Sequence, residues 1–331
     1  PPPPPPLPPV SSMYVVVRVL TRDVKKASAM FEHLGLYSDS VSSQPRIEIV
    51  EGSVEDLTAL GGILQSATRL FLLTLTSLRH RQVTVERGIL SLFGLDNENS
   101  SSSIQHIVRL SAHSRGMEGQ PSNSPFRWHS ECDEQLLHMC NRDMGCKRDV
   151  GVTLLRPSLF MQDMTRRHFA PLICTQDLFY QLGSAPDSGQ GEYEDRYKIA
   201  MVDARDIADV AACALSEPIA QHAHNTYILS GPKALLWGDV ATAISTACNR
   251  TITAVLLNDK QFYDHFGGSH LYLKQMQGYR AGGGEDVDGD IEVVTGHPAR
   301  GIEQFCLDNA LVWQKQEGVE EEMKQKSKKP F

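Results

Sequence analysis

Apolar residues along this chain gather into short runs separated by stretches of helical periodicity. The runs are YVVVRVL at 14–20, RIEIVE at 46–51, RLFLLTL at 69–75, HIVRL at 106–110, VTLLRP at 152–157, TYIL at 226–229 and TITAVLL at 251–257. Such short runs, rich in Val, Ile and Leu, predict strands, and the near-continuous ones predict strands buried on both faces. Between them the spacing predicts helices over 24–34, from 56 onward, over 77–93, from about 124, after Asp206, over 236–249 and over 259–279. Ser53 and Asp56 read as a capping box for the second helix, and Asp206 as the cap of IADVAACAL. A further strand is expected at 197–202.

Alternating strand and helix is the pattern of an α/β protein with a doubly wound, mostly parallel sheet. The segment 105–164 shows it most fully: a strand stopping at Ser111, a polar loop, a helix, and a second strand stopping at Arg156-Pro157. Parallel strands need such a crossover. Ligands of open α/β sheets bind at the carboxyl ends of the strands, so a site is expected near Ser111 and Pro157.

The ends are of another kind. Eight of the first nine residues are proline, which permits polyproline II or disorder, and 1–13 is expected to be a proline-rich tail. Residues 314–331 form a second tail, rich in Lys and Glu. The stretch 14–313 is expected to fold, with 14–165 mainly a nucleotide-binding core and 166–313 mainly a small C-terminal substrate lobe.

Composition narrows the function. Of 331 residues, 41% are hydrophobic and 22% charged, and the net charge is −8. An acidic balance without a basic stripe argues against direct nucleic-acid partners and against an anionic membrane surface. No apolar run approaches the roughly 18–20 residues of a spanning helix, so a cytoplasmic protein is expected. The seven cysteines are scattered without a CxxC pair, so neither a disulfide framework nor a metal site is expected. His129-Ser130-Glu131 has the H-x-E of zinc deaminases, but no P-C-x-x-C follows it.

The segments IVRLSA, WHSECDEQLL, LLRPSLFMQD, VDARDIADVAA, TYILSGP and VTGHPARGIEQF together resemble the NmrA-like group of atypical short-chain dehydrogenases, within the NAD(P)-binding Rossmann superfamily. The last two are similar to the festuclavine or agroclavine dehydrogenase branch. The resemblance covers about 15–313. It implies NADP(H) as cofactor and a small-molecule substrate. It also implies a GxxGxxG-type turn after a first strand; the strand at 14–20 matches the family's second, so the first β-Gly-loop-α unit is expected to be missing.

The same resemblance assigns residues. Arg22 and Lys26 would bind the adenosine 2′-phosphate, and a guanidinium beside an ammonium can clamp a phosphate; two solvated charges are the plainer alternative. Ser53 and Val54 would line the adenine, and Thr74, Leu75 and Thr76 would run beside the ribose and nicotinamide. Ser111 stands where these enzymes keep a catalytic serine. The Tyr-x-x-x-Lys that usually accompanies it is absent, since Pro125 stands four residues before His129. His129 falls where many of the reductases carry a Lys; it could donate a proton near neutral pH, or be a partly exposed helix residue near Asp133. Phe160 and Met161 would pack on nicotinamide or substrate, or simply fill the core, and Asp163 replaces a common Asn.

Two functions are therefore expected. One is an NADP(H)-dependent oxidoreductase passing hydride to a small organic carbonyl, imine or quinone. The other is a non-catalytic NADP(H)-sensing regulator with a protein partner, or an inactive relative lacking the glycine-rich loop.

Overall fold

The structure of the protein, a computed structural model, describes residues 15–34, 46–74, 78, 81–95, 102–113, 124–141, 146, 148–166, 168–186 and 191–315. They form two compact units that divide between Gln65 and Ser66.

The first unit holds β1 (Val16–Thr21), α1 (Val24–His33), β2 (Arg46–Glu51) and α2 (Leu57–Ile63). β1 and β2 pair in parallel from Val16↔Arg46 to Thr21↔Glu51. Arg18 bridges to Glu48 at 3.0 Å and donates to the Ile63 carbonyl, tying α2 to the strands. Asp23 caps α1 by accepting from Lys26 N, and Asp56 caps α2 by accepting from Ala59 N. The Ser53 hydroxyl instead accepts from Glu55 N, so the expected capping box is corrected: Asp56 alone caps the helix. The expectation of a buried first strand is corrected too. Val16 and Val17 remain exposed, because two strands and two short helices are too few to cover both faces of a sheet.

The second unit continues with β3 (Arg69–Leu72), α3 (Arg81–Ser91), β4 (His106–Leu110), α4 (Pro125–Cys140) and β5 (Gly151–Pro157). After a 3₁₀ turn at Met161–Thr165 come α5 (Ala170–Gln176), β6 (Leu178–Leu182), α6 (Ala204–Ser216), α7 (Ile219–His222) and β7 (Thr226–Leu229). There follow α8 (Trp237–Cys248), β8 (Thr253–Leu257), α9 (Asp259–His265), α10 (His270–Gly278), α11 (Asp290–Thr295), α12 (Ile302–Asp308) and a 3₁₀ turn at Ala310–Trp313. Its main sheet is parallel, in the order β3-β4-β5-β7, and β6 pairs in parallel with β8 separately.

Register explains why β4 and β5 are apolar almost throughout. Arg109 pairs with Leu154 and Leu110 with Leu155, so Arg109, Ser111, Leu154 and Arg156 share one face. Val108 and Leu155 face the other way, into a cluster with Ile207, Val210 and Ala211 of α6. Both faces are covered, as a doubly wound sheet requires. A second core joins Phe179 and Leu182 of β6 with Trp237 of α8, Phe262 of α9, Phe305 of α12 and Trp313. Phe126 and Leu159 belong to it as well, so residues on both sides of 165 share one core.

Three local expectations change. Residues 197–202 make only isolated bridges, Ile199↔Leu235 and Phe160↔Val202. Asp203, not Asp206, caps α6, accepting from Arg205 N; Asp206 lies buried in the first turn, ion-paired with Arg300. The helix expected over 259–279 breaks into α9 and α10 at Gly267 and Gly268, whose φ values of 66° and 76° suit glycine.

Candidate functional site

At the carboxyl ends of β4 and β5 a cavity of about 810 Å³ opens between the sheet, α4 and α10. Ser111 and Pro157 line it, as the topology predicts. Phe126, Phe160, Phe169, Phe266, Tyr272 and Tyr279 give its walls six aromatic rings. His129, Asp163, Arg166 and His168 bring polar chemistry to the same space.

Beneath Ser111 lies a buried charge network that begins with Arg109. This side chain is fully buried in the middle of β4, where a lone guanidinium would be prohibitively costly. It is held by two carboxylates. Nε donates to Glu86 Oε2 at 2.7 Å and Nη2 to Oε1 at 2.9 Å, while Nη1 donates to Asp133 Oδ1 at 2.6 Å. Glu86 also accepts from Thr74 Oγ1 and, at 3.3 Å, from Gln82. Burial raises the Glu86 carboxyl, but Arg109's hydrogen bond and charge, with help from Thr74 and Gln82, hold it below the usual glutamate range.

Asp133 links this network to the cavity. Its Oδ2 accepts from Ser111 Oγ at 2.8 Å and from Arg156 Nη2 at 2.9 Å. The carboxylate thus answers two arginines and fixes the serine hydroxyl. Since the Ser111 hydrogen points at Asp133, the oxygen offers the cavity lone pairs rather than a proton.

His129 is buried, correcting the alternative of a partly exposed imidazole. Burial, then the charge of Arg109, push it down to about 3. Arg109 Nη2 lies 3.4 Å from Nδ1 and can only donate, so Nδ1 accepts and the neutral ring carries its hydrogen on Nε2. The expectation that His129 could yield a proton near neutral pH is corrected: at that pH the ring is already neutral.

The other expected residues divide by location. Arg22 and Lys26 are exposed in the first unit, at the end of β1 and in the first turn of α1, and among the described residues neither side chain makes a hydrogen bond or ion pair. The neighbouring carboxylate, Asp23, is occupied in capping α1. Ser53 and Val54 are half-buried after β2. Thr74 is buried with its hydroxyl committed to Glu86 and Gln82. Leu75 and Thr76 lie outside the described residues. Phe160 lines the cavity, whereas Met161 is fully buried in the core.

Sequence reasoning missed Arg109, Glu86 and the role of Asp133. The signal was present: a charged residue inside an apolar strand needs buried partners, and Gln82/Glu86 and His129/Asp133 each stand four apart, on one face of a helix.

A nicotinamide dinucleotide is the cofactor such a fold suggests, and its fit can be judged from the donors present. Two exposed cations that make no hydrogen bond or ion pair among the described residues suit a phosphate monoester. The turn joining β1 to α1 is Thr21-Arg22-Asp23, so it brings no glycine-rich cradle for a pyrophosphate.

Fold and site together define an α/β protein of the Rossmann type, with parallel strands ending in an aromatic-lined cavity. No family model matches the chain. It is 29% identical over 209 residues to the NAD(P)H azoreductase of Xenophilus azovorans, across 59% of this chain and 63% of that protein. It is 30% identical over 175 residues to the agroclavine dehydrogenase of Claviceps fusiformis, across 50% of this chain and 56% of that one. The chain thus spans less than two thirds of the length of the curated relatives it matches. Among solved structures, the NADPH-dependent quinone oxidoreductase of Escherichia coli in complex with NADPH superposes with a TM-score of 0.65 at 19% identity, over 90% of this chain and 91% of that one. An NmrA double mutant superposes at 0.57 and 12% identity, over 90% and 88%. The superpositions on the quinone oxidoreductase and on NmrA show a likeness of fold.

Proposed function

We propose that this chain is an NADP(H)-dependent oxidoreductase that reduces a flat organic carbonyl, imine or quinone. The observation that carries the reading is the cavity at the ends of β4 and β5, with its aromatic walls and the fixed Ser111 oxygen. The names of the relatives, NAD(P)H azoreductase and agroclavine dehydrogenase, support it.

When bound, the nicotinamide supplies a hydride. The chain's own residues do the rest. Arg22 and Lys26 would hold the 2′-phosphate and favour NADP(H) over NAD(H). Ser53 and Val54 would lie along the adenine. Phe160 and the other aromatic walls would exclude water and stack on a planar substrate. Ser111 would orient the substrate by accepting a hydrogen bond, and neutral His129 would donate one through Nε2.

The alternative is a sensor that binds NADP(H) and a protein partner without turnover; the missing Tyr-x-x-x-Lys favours it. NADPH oxidation with a panel of quinones and aromatic imines separates the two. Acceptor-dependent oxidation well above the background without protein is the expected outcome. NADPH binding with no oxidation by any acceptor would establish the sensor instead.

A further inference from the structure

We infer that Asp163 is the proton donor of this cavity, delivering a proton to the substrate heteroatom as hydride arrives at carbon. This inference rests on the oxidoreductase reading above.

Four other polar groups of the cavity wall, Ser111, His129, Tyr272 and Tyr279, are poorly suited to that role. Ser111 has its hydrogen committed to Asp133. His129 is neutral, so losing its remaining Nε2 hydrogen would leave an imidazolate. Tyr272 and Tyr279 line the cavity, but burial drives both phenols upward, away from the working range of a general acid.

Asp163 differs on each count. It stands in the 3₁₀ turn directly after Phe160, with 27% of its side chain exposed, and it lines the cavity. That turn is pinned on both sides. Gln162 donates to Asp203 Oδ1 at 2.8 Å and accepts from Ala204 N, while Trp313 Nε1 donates to the Met164 carbonyl at 2.9 Å. A rigid turn sets a proton donor more accurately than a loose loop.

Among the described residues, the charged and titratable groups around Asp163 are few. Arg166 on the same turn approaches within 3.3 Å, and Tyr272 and Tyr279 interact with its charge from the far wall. His168 lines the same cavity. Burial outweighs Arg166 and raises the carboxyl above the usual aspartate range, which favours the acid form a donor requires.

The chemistry balances. As a C=O or C=N bond is reduced, carbon gains the hydride with its electron pair, and the π electrons move to the heteroatom. The heteroatom takes the Asp163 proton, and the carboxylate is reprotonated from solvent. An Asn at this position could hydrogen-bond the heteroatom but yield no proton.

The test has two readouts. In the pH profile of wild-type kcat, activity should fall as pH rises through the Asp163 titration. Asp163→Asn should lower kcat about a hundredfold with KM little changed, and should abolish that limb. Asp163→Glu should restore part of both, and His168→Gln should leave the limb in place. Independently, carboxyl-¹³C NMR of the cofactor-free protein, assigned with Asp163→Asn, should show Asp163 titrating above the ordinary aspartate range. Unchanged kcat and pH limb in Asp163→Asn, loss of the limb in His168→Gln, or an ordinary Asp163 midpoint would each overturn the donor role. A wild type that fails to oxidise NADPH with every acceptor tried would overturn it together with the oxidoreductase reading, and the NMR midpoint would still report where the carboxyl titrates. The two failures are therefore distinct.

Discussion

Replacing Arg109 with leucine should destabilise the protein by about 3–5 kcal/mol, the usual cost of removing one partner from a buried ion network. The arginine makes three charge-assisted hydrogen bonds, at 2.6, 2.7 and 2.9 Å, and all of them are buried. Without it, among the described residues, Glu86 loses its ion-pair partner, and Asp133 keeps Arg156 and the Ser111 hydroxyl. The loss is that of stranded charges more than of a missing attraction. Pairing Arg109→Leu with Glu86→Gln should therefore recover a good part of the stability, because the second change neutralises the orphan carboxylate. Urea denaturation of both variants measures this. A loss under about 1 kcal/mol in the single variant, or an additive loss in the double, would show that the network does not stabilise the fold as drawn.

The second large effect is acid lability. His129 is pushed down to about 3 by burial and by Arg109. His106, at the start of β4, is pushed down to about 4 by burial and then by the charges of Arg69 and His222. Both imidazoles return to about 6.5 on unfolding. Between that value and their folded values the unfolded chain binds protons that the folded one does not. Stability is thus fully present above about pH 6.5 and falls as the pH drops. A tenfold difference in proton affinity between the folded and unfolded chain corresponds to about 1.4 kcal/mol, so the decline should be steep well before most carboxylates titrate. The depressed Glu86 adds to it only below the ordinary glutamate range. Denaturation at a series of pH values from 8 to 5 gives the slope, and His129→Phe should remove close to one proton from it. A flat profile over that range would mean that the folded imidazoles titrate normally.

The two effects share a cause that also decided what the chain disclosed in advance. The central strands were legible because β4 and β5 are buried on both faces, and only apolar runs satisfy that. The cavity was legible for a topological reason, since parallel strands end where ligands bind. Most of the misplaced elements lay where tertiary context overrides local pattern. β6 is five residues, LFYQL, held by pairing with β8 and by nothing periodic in itself. Residues 197–202 alternate like a strand but find only bridges. At 267–268 two glycines ended a helix that its amphipathic spacing would have continued.

The chemistry of the site was less legible than its place. Ser111 was found by position, but the direction of its hydroxyl depends on Asp133, 22 residues away and on another element. His129 was weighed as a proton donor because an imidazole ordinarily titrates near neutrality. Burial beside Arg109 removes that property, and the spacing within one helix cannot report it. Asp163 was noted only as a departure from a common Asn; its turn, its burial and its place on the cavity wall came from the fold.

Cofactor binding is tested most simply by titrating the full chain with NADPH and with NADH, by calorimetry or tryptophan quenching, and repeating both titrations on Arg22→Ala. Saturable binding with NADPH preferred is the predicted result. Arg22→Ala should weaken NADPH by about ten- to a hundredfold, the worth of a hydrogen bond to a charged group, and leave NADH nearly unchanged. Equal losses for the two nucleotides in Arg22→Ala would keep the cofactor but remove its 2′-phosphate from Arg22. Failure of both to bind would contradict the oxidoreductase reading and the sensor reading together.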